Sequence, residues 1–345
     1  MALTPSRKKP THPLSPGLRH YLRAYERTAA LPLTYDDLAH FESSVPLVDA
    51  RGEDTLWQTV YYRESERAEV NLALRHVYAV LKTDGDDAVI EHLEVARVDF
   101  CSFGNTQPFR VRVRNRINDN YDHYYVKRAD ANRVYGLELE HLLSPNRITY
   151  LVDGDTLVEE HIAGVPGDDF QAGGYLDVSD IDQTRIAKEF VKFNERCFAR
   201  LLGDMRAYNY VVDITPDIEG NQYRLRAIDF DQQSYEGALK FYLPQYFKDN
   251  NGIIALGMRH MTPESVAQYQ QEERTLIAAR ARASRDRLGE LLDGMAAERL
   301  STPGKVSALA AELGAQLGDA SAYRACASMG QLVATQLRTL TERPL

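Results

Sequence analysis

The reading of this chain turns on Leu202-Gly203-Asp204-Met205-Arg206-Ala207-Tyr208-Asn209-Tyr210-Val211-Val212. Upstream of it, Ile186, Phe190, Phe193, Cys197 and Leu201 recur at helical intervals, marking the buried stripe of a long helix. Downstream, Tyr210 to Ile214 and Tyr223 to Ile228 are β-branched and aromatic runs that read as two short strands, joined by a loop bearing Pro, Asp and Gly. The second run ends in Ala227-Ile228-Asp229-Phe230-Asp231, about twenty residues after Asn209. An acid and an amide thus sit at a helix-to-strand junction, and further acids stand at the end of the hairpin that follows.

Toward the N-terminus the pattern is that of a sheet. Glu94 to Phe103 reads as a strand. Phe109 to Asn115 alternates strictly, with Val111 and Val113 on one face and Arg110, Arg112 and Arg114 on the other. His123 to Val126 reads as a third strand. A helix over Arg133 to Leu143 is stopped by Ser144-Pro145-Asn146. Ile148 to Val152 and Thr156 to Ile162 read as two more strands around the turn Asp153-Gly154-Asp155. The middle of the chain therefore reads β-β-β-α-β-β. Before it, Leu18 to Leu81 reads as mostly helical, with Val70, Ala73, Leu74, Val77, Tyr78 and Leu81 on one face, and Asp84-Gly85-Asp86-Asp87 breaks the chain. From Thr262-Pro263-Glu264, a helix start with an N-cap and Pro at N1, the remainder reads as helical, interrupted at Thr302-Pro303-Gly304.

In phosphoryl transfer a loop Asp orients or deprotonates the acceptor hydroxyl, while an Asn five residues on and an Asp from a separate loop hold Mg²⁺ against the nucleotide phosphates. A hard cation requires such oxygen donors. Asp204-Met205-Arg206-Ala207-Tyr208-Asn209 resembles the protein-kinase catalytic loop, and Ile228-Asp229-Phe230 resembles that family's metal-binding Asp-Phe-Gly, with Asp231 where the Gly would stand. Leu157-Val158-Glu159-Glu160-His161-Ile162-Ala163-Gly164 is similar to the hinge of the aminoglycoside and choline kinase relatives. The resemblance spans roughly residues 95 to 240 and is specific only as an ordered set, since each short motif alone is common.

It implies an α+β, bilobal protein kinase-like fold: an N-lobe of antiparallel sheet with one helix over 91–160, a mostly helical C-lobe over 161–345, and a helical N-terminal extension over 18–90. It implies ATP and Mg²⁺ as cofactors. Asp204 is then the base, Arg206 a stabiliser of the transferred phosphoryl charge or a surface Arg, and Asn209 and Asp229 the metal ligands. Asp231 is a further ligand or a turn residue. Lys127, on the third strand, would hold the α- and β-phosphates and pair with a helix Glu; otherwise it is a Lys snorkelling at a strand end. Of the two candidates, Glu138 lies near the centre of the face set by Val134, Tyr135, Leu139 and Leu142, and Glu140 lies nearly opposite, so Glu138 is chosen. Glu160, His161 and Ile162 fall in the hinge. The loop Ser102-Phe103-Gly104-Asn105-Thr106-Gln107-Pro108 covers the phosphates through Gly104, Asn105 and Thr106 or is a plain hairpin turn. The Arg110/Arg112/Arg114 face is solvated or draws an anionic substrate.

Departures from the family narrow the function. Leu202 stands where kinases have His, no Ala-Pro-Glu-like segment follows Asp231, and Gln232 to Asn250 is rich in Tyr and Phe. These favour γ-phosphoryl transfer to a hydroxyl of a small molecule over a regulated protein kinase. A pseudokinase serving as a nucleotide- or protein-binding module, and AMP transfer on the same scaffold, are the alternatives. The balance of 41 Lys+Arg against 50 Asp+Glu, net −9, argues against a general nucleic-acid or membrane-surface coat. No apolar run suffices to span a bilayer. The three cysteines, Cys101, Cys197 and Cys326, are widely spaced, so a disulfide framework or zinc knuckle is not expected and a cytoplasmic setting is. Met1 to Gly17, basic and Pro-rich without an apolar h-region, reads as a flexible leader.

Overall fold

The computed structural model describes residues 9–49, 52–83, 85, 87–218 and 220–342. The fold is mixed α+β, and the chain divides into two compact units. One comprises Pro10–Asp130 and Ile148–His161; the other gathers Lys9, Ala131–Arg147 and the chain from Ile162 onward.

The first unit is built on a seven-stranded antiparallel sheet. Its elements are α1 (Pro16–Ala24), α2 (Tyr35–Ala39), β1 (Ser43–Val48), β2 (Asp54–Tyr61), α3 (Glu64–Thr83), β3 (Leu93–Phe100), β4 (Phe109–Asn115), β5 (Tyr121–Arg128), β6 (Tyr150–Asp153) and β7 (Thr156–Glu160), with strand order β1-β2-β3-β4-β5-β7-β6. The alternation of β4 sorts the sheet's faces. Phe109, Val111 and Val113, with Tyr124 and Val126 of β5, are buried in one core with Leu74, Val77 and Leu81 of α3. The Tyr124 hydroxyl donates to the Leu74 carbonyl at 2.8 Å. On the other face, Arg110 lies over the Trp57 ring and Arg112 over Tyr121, while Arg97 and Arg110 both pair with Asp99.

Two expectations change here. The stretch 18–90 is not simply helical, because β1 and β2 form a hairpin that extends the sheet. Pro46 hid β1, since Pro lacks a ladder donor; it is accommodated because β1 is the edge strand. Nor are residues 9–17 a loose leader. Leu14 is buried, Ser15 caps α1 by accepting from the Leu18 N–H at 3.0 Å, and the His12 N–H donates to Asp130 at 2.8 Å. Residues 1–8 of that expected leader, and Asp84 and Asp86 of the expected break, lie outside the described residues.

The second unit is mostly helical. It contains α4 (Ala131–Leu143), β8 (Val165–Pro166), α5 (Gly167–Ala172), α6 (Asp180–Arg200), β9 (Tyr210–Asp217), β10 (Gly220–Ala227), α7 (Asn251–His260), α8 (Pro263–Ala283), α9 (Arg285–Ala297), α10 (Pro303–Leu317), α11 (Ala320–Arg324) and α12 (Met329–Glu342). Strands β10, β9 and β8 form a small second sheet. Ser179 caps α6, and Thr262 with Ser265 forms a reciprocal cap on α8, the helix start that Thr262-Pro263-Glu264 signals.

Helix α4 belongs to this helical unit rather than to the large sheet. Twelve of its thirteen residues are buried, so it has no solvent face. Glu140 is therefore not turned outward, contrary to what its place on the helical wheel opposite Glu138 predicts. Glu140 is as enclosed as Glu138, and it pairs with Arg200 while accepting from Ser144 and Asn146. Burial pushes its carboxyl up, but Arg200 and these donors outweigh burial and leave it below the usual range. Further buried pairs join Arg196 to Glu189 and Glu273, and Arg274 to Glu195. Among the described residues no helix is long and apolar enough to cross a membrane.

Candidate functional site

In the helical unit, α6 ends at Arg200 and is capped by Leu201, whose left-handed φ of 53° turns the chain sharply. The next residues are pinned from two sides. The Gly203 N–H donates to the Gln232 carbonyl at 3.3 Å and the Asp204 N–H to the Phe241 carbonyl at 2.9 Å. Asp204 itself has φ 60°, a conformation that favours Gly and is tolerated by Asp. Its carbonyl accepts from the Arg206 N–H at 2.8 Å and from the Asn209 side-chain amide at 2.7 Å, which closes the loop on itself. Asn250 braces the loop from behind, donating to the Met205 carbonyl and accepting from the Tyr210 hydroxyl.

The β9–β10 hairpin then brings the second acid segment alongside. Tyr210 and Ala227 are register partners, and the Ile228 N–H donates to the Asn209 carbonyl at 3.0 Å. Asp204, Arg206, Asn209, Asp229 and Asp231, named separately from sequence, thus belong to two adjoining segments of one unit.

The electrostatics differ from residue to residue. Burial pushes the Asp204 carboxyl up; the Arg206 guanidinium, 3.1 Å away, opposes this and the Asp229 charge reinforces it, leaving it at about 6. Arg206 also reaches Asp249 at 3.0 Å and lies over the Phe247 ring. Burial alone would lower its guanidinium, but its acidic neighbours outweigh burial and raise it. Arg206 is therefore fixed in place, not a free surface charge.

Asp229 and Asp231 have a partner that sequence reasoning missed. The Arg133 NH1 group of α4 donates to Asp229 at 3.0 Å and to Asp231 at 2.8 Å. Asp231 is buried, and its N–H donates to the Asp229 carboxylate at 3.0 Å, so it is a turn residue as well as an ion-pair partner. For Mg²⁺ the donor types suit a hard cation, but the arrangement does not fit: a fixed guanidinium already lies against both carboxylates. Arg133 stood in the sequence as an unremarked residue in the first turn of a helix.

Glu138 accepts two hydrogen bonds from Arg287, at 2.7 and 3.2 Å. Ile162, beyond the end of β7, is buried.

In the sheet unit, Lys127 lies on β5 with its ammonium 2.8 Å from Glu159 of β7, both nearly enclosed. Glu159 stands in the hinge-like segment, where the motif resemblance implies no role for it. Glu160 accepts from the Thr149 N–H at 2.7 Å and pairs with Lys82 at 3.2 Å. His161 meets the Tyr125 hydroxyl at 3.2 Å, and its ring stands 5.4 Å from that of His123. Burial lowers both imidazoles, His123 to about 4 with the help of His161 and the neighbouring arginines. Gly104, Asn105 and Thr106 sit in the tight turn between β3 and β4, where the Gln107 N–H donates to the Gly104 carbonyl at 3.2 Å and Thr106 is buried. Residues 101–108 thus join β3 to β4 with a turn closed at Gln107. No family model matches the chain, and no curated protein matches it either.

Proposed function

We propose that the chain is an ATP-dependent phosphotransferase of the bilobal protein kinase-like type, delivering the γ-phosphoryl group to a hydroxyl of a small molecule. The observation that carries this reading is Asp204: a loop carboxylate held by its own backbone, raised by burial to about 6 and flanked by a fixed guanidinium. A base is most effective when its pKa lies near the working pH, and a carboxyl at about 6 is ionised at neutrality yet far more basic than an ordinary Asp. In this reading Asp204 orients and deprotonates the acceptor hydroxyl, and Arg206 meets charge developing on the transferred group. Lys127, ion-paired with Glu159, holds the nucleotide phosphates, the role the motif resemblance gives the lysine. Mg²⁺ would supply charge neutralisation at the phosphates, whereas at Asp229 and Asp231 Arg133 already supplies it.

The test follows radiolabel from [γ-³²P]ATP into a size-fractionated cell extract, with wild type and Asp204→Asn side by side. Label in the small-molecule fraction that depends on Asp204, with ATP-induced thermal stabilisation kept in the variant, is the expected result. Label on proteins alone overturns the choice of acceptor, and equal labelling by both chains overturns Asp204 as the base. The second reading, a nucleotide-binding pseudokinase, is favoured by Arg133 lying against Asp229 and Asp231. It predicts ATP stabilisation without any transfer of label.

A further inference from the structure

We infer that Arg133 is the resident cation of the Asp229–Asp231 pair and competes with divalent cations for it. The inference rests on reading that pair as the cation-binding acids of the proposed function. Asp231 is buried, and a buried carboxylate persists as an ion only when paired and hydrogen-bonded. Arg133 supplies both requirements from a single nitrogen, donating at 2.8 Å to Asp231 and 3.0 Å to Asp229, while NH2 donates to the Ile228 carbonyl at 3.3 Å. The guanidinium is itself 2 % exposed and lies 5.9 Å from the Phe230 ring centroid.

The helix that carries Arg133 is seated against the same segment. Asn132 donates to the Gln233 carbonyl at 2.7 Å. One turn further on, Gly136 leaves room for Phe230: a Cβ there would stand 3.0 Å from the Phe230 Cβ and 3.2 Å from that of Gln233. Arg133 is therefore built into the segment that carries the two acids. A divalent cation on the same oxygens would press against a fixed, enclosed positive charge; Asp231 is buried with it, while the Asp229 side chain is 35 % exposed, so water screens the repulsion only from that side. Either the cation binds weakly or Arg133 gives way to it.

The experiment measures Mn²⁺ binding to the full chain without nucleotide, by the loss of the free-ion electron paramagnetic resonance signal, with Mg²⁺ checked by calorimetry. Arg133→Met keeps the stem and removes the charge; it is expected to bind Mn²⁺ roughly ten-fold more tightly or better than wild type. Adding Asp229→Asn to that variant should abolish the gain, and Arg133→Lys should stay close to wild type. Unchanged or weaker binding by folded Arg133→Met overturns the inference, as does micromolar binding by wild type.

Should Arg133→Met fail to fold, wild type supplies the answer by NMR of the Arg133 Nε–H during a Mg²⁺ titration. Movement of the Asp229 amide together with the Arg133 signal, or no movement up to tens of millimolar, is the result expected for a site held by the arginine. An Asp229 amide that moves while Arg133 stays still overturns it. Because nucleotide is absent throughout, loss of phosphotransfer activity would sink the functional reading without touching this competition, and the reverse also holds.

Discussion

Asp204 illustrates how a single carboxylate is tuned by its surroundings. Its pKa of about 6 in the folded chain lies above the ordinary Asp value, so between the two the folded state holds the extra proton. Stability therefore falls as pH rises through that window and stays reduced above pH 6, by up to about 3 kcal/mol for a two-unit shift. Asp204→Asn should melt above wild type at pH 7, offset in part by a weaker bond to Arg206, and that advantage should vanish near pH 4; differential scanning calorimetry at both pH values checks this. Turnover should show the opposite face of the same ionisation, falling about ten-fold per pH unit below 6 as the base is protonated. Glu140 is the contrasting case. Arg200 and two hydrogen-bond donors keep it ionised despite burial, so Glu140→Gln leaves a cation buried against a neutral amide. Urea denaturation should register a loss of about 3–5 kcal/mol, the usual cost of breaking a buried pair.

At the scale of elements, α5 and β9 press on the catalytic-loop candidate at one point. A Cβ on Gly167 would stand 2.3 Å from the Tyr210 ring and 2.4 Å from the Ala207 carbonyl. Gly167→Ala should cost about 1–3 kcal/mol as overpacking, and should speed amide hydrogen exchange at Asn209, whose N–H closes the loop. Elements with a clear period were legible from sequence. β4 is legible at its own bounds, because alternation of Val and Arg leaves one register; α6 and α8 are legible from their stripe and cap. The elements missed broke a local rule for a non-local reason. β1 contains Pro46 and is admissible only as an edge, which depends on the order of the whole sheet. α4 is enclosed on all sides, so its acids could not be sorted by face. Arg133 was invisible because its partners lie 96 and 98 residues away. The short motifs around Asp204 and Asp229 placed five side chains on adjoining segments, but the counter-charge that governs two of them carries no sequence signature.

Over the whole molecule, the chain passes from one compact unit to the other at Lys9–Pro10, Asp130–Ala131, Arg147–Ile148 and His161–Ile162. The helical unit is thus discontinuous in sequence, and α4 is its insert. A fragment beginning at Ile162 would lack Glu138 and Glu140, leaving Arg200 without its carboxylate and Arg287 without the acceptor of its two bonds. It would also expose the Phe230 surface that Gly136 covers. Such a fragment should show no cooperative thermal transition by circular dichroism, whereas one beginning at Ala131 should; equal melting of the two would show that α4 is dispensable to this unit.

The enclosure of α4 also sets a schedule. Glu138 waits for Arg287, 149 residues downstream, and Glu140 for Arg200, 60 residues downstream. At ribosomal speeds of about 5–20 residues per second, the longer wait is roughly 7–30 s. For that interval the nascent chain carries a thirteen-residue helix segment whose every side was shaped for an interior not yet synthesised. The sheet unit, completed at His161, is ready long before the helices that give α4 its surroundings. The vulnerable period of this protein's life therefore falls in the seconds between its middle and its end, when a chaperone able to shelter one short segment, with its unpaired charges, would matter more than at any later time.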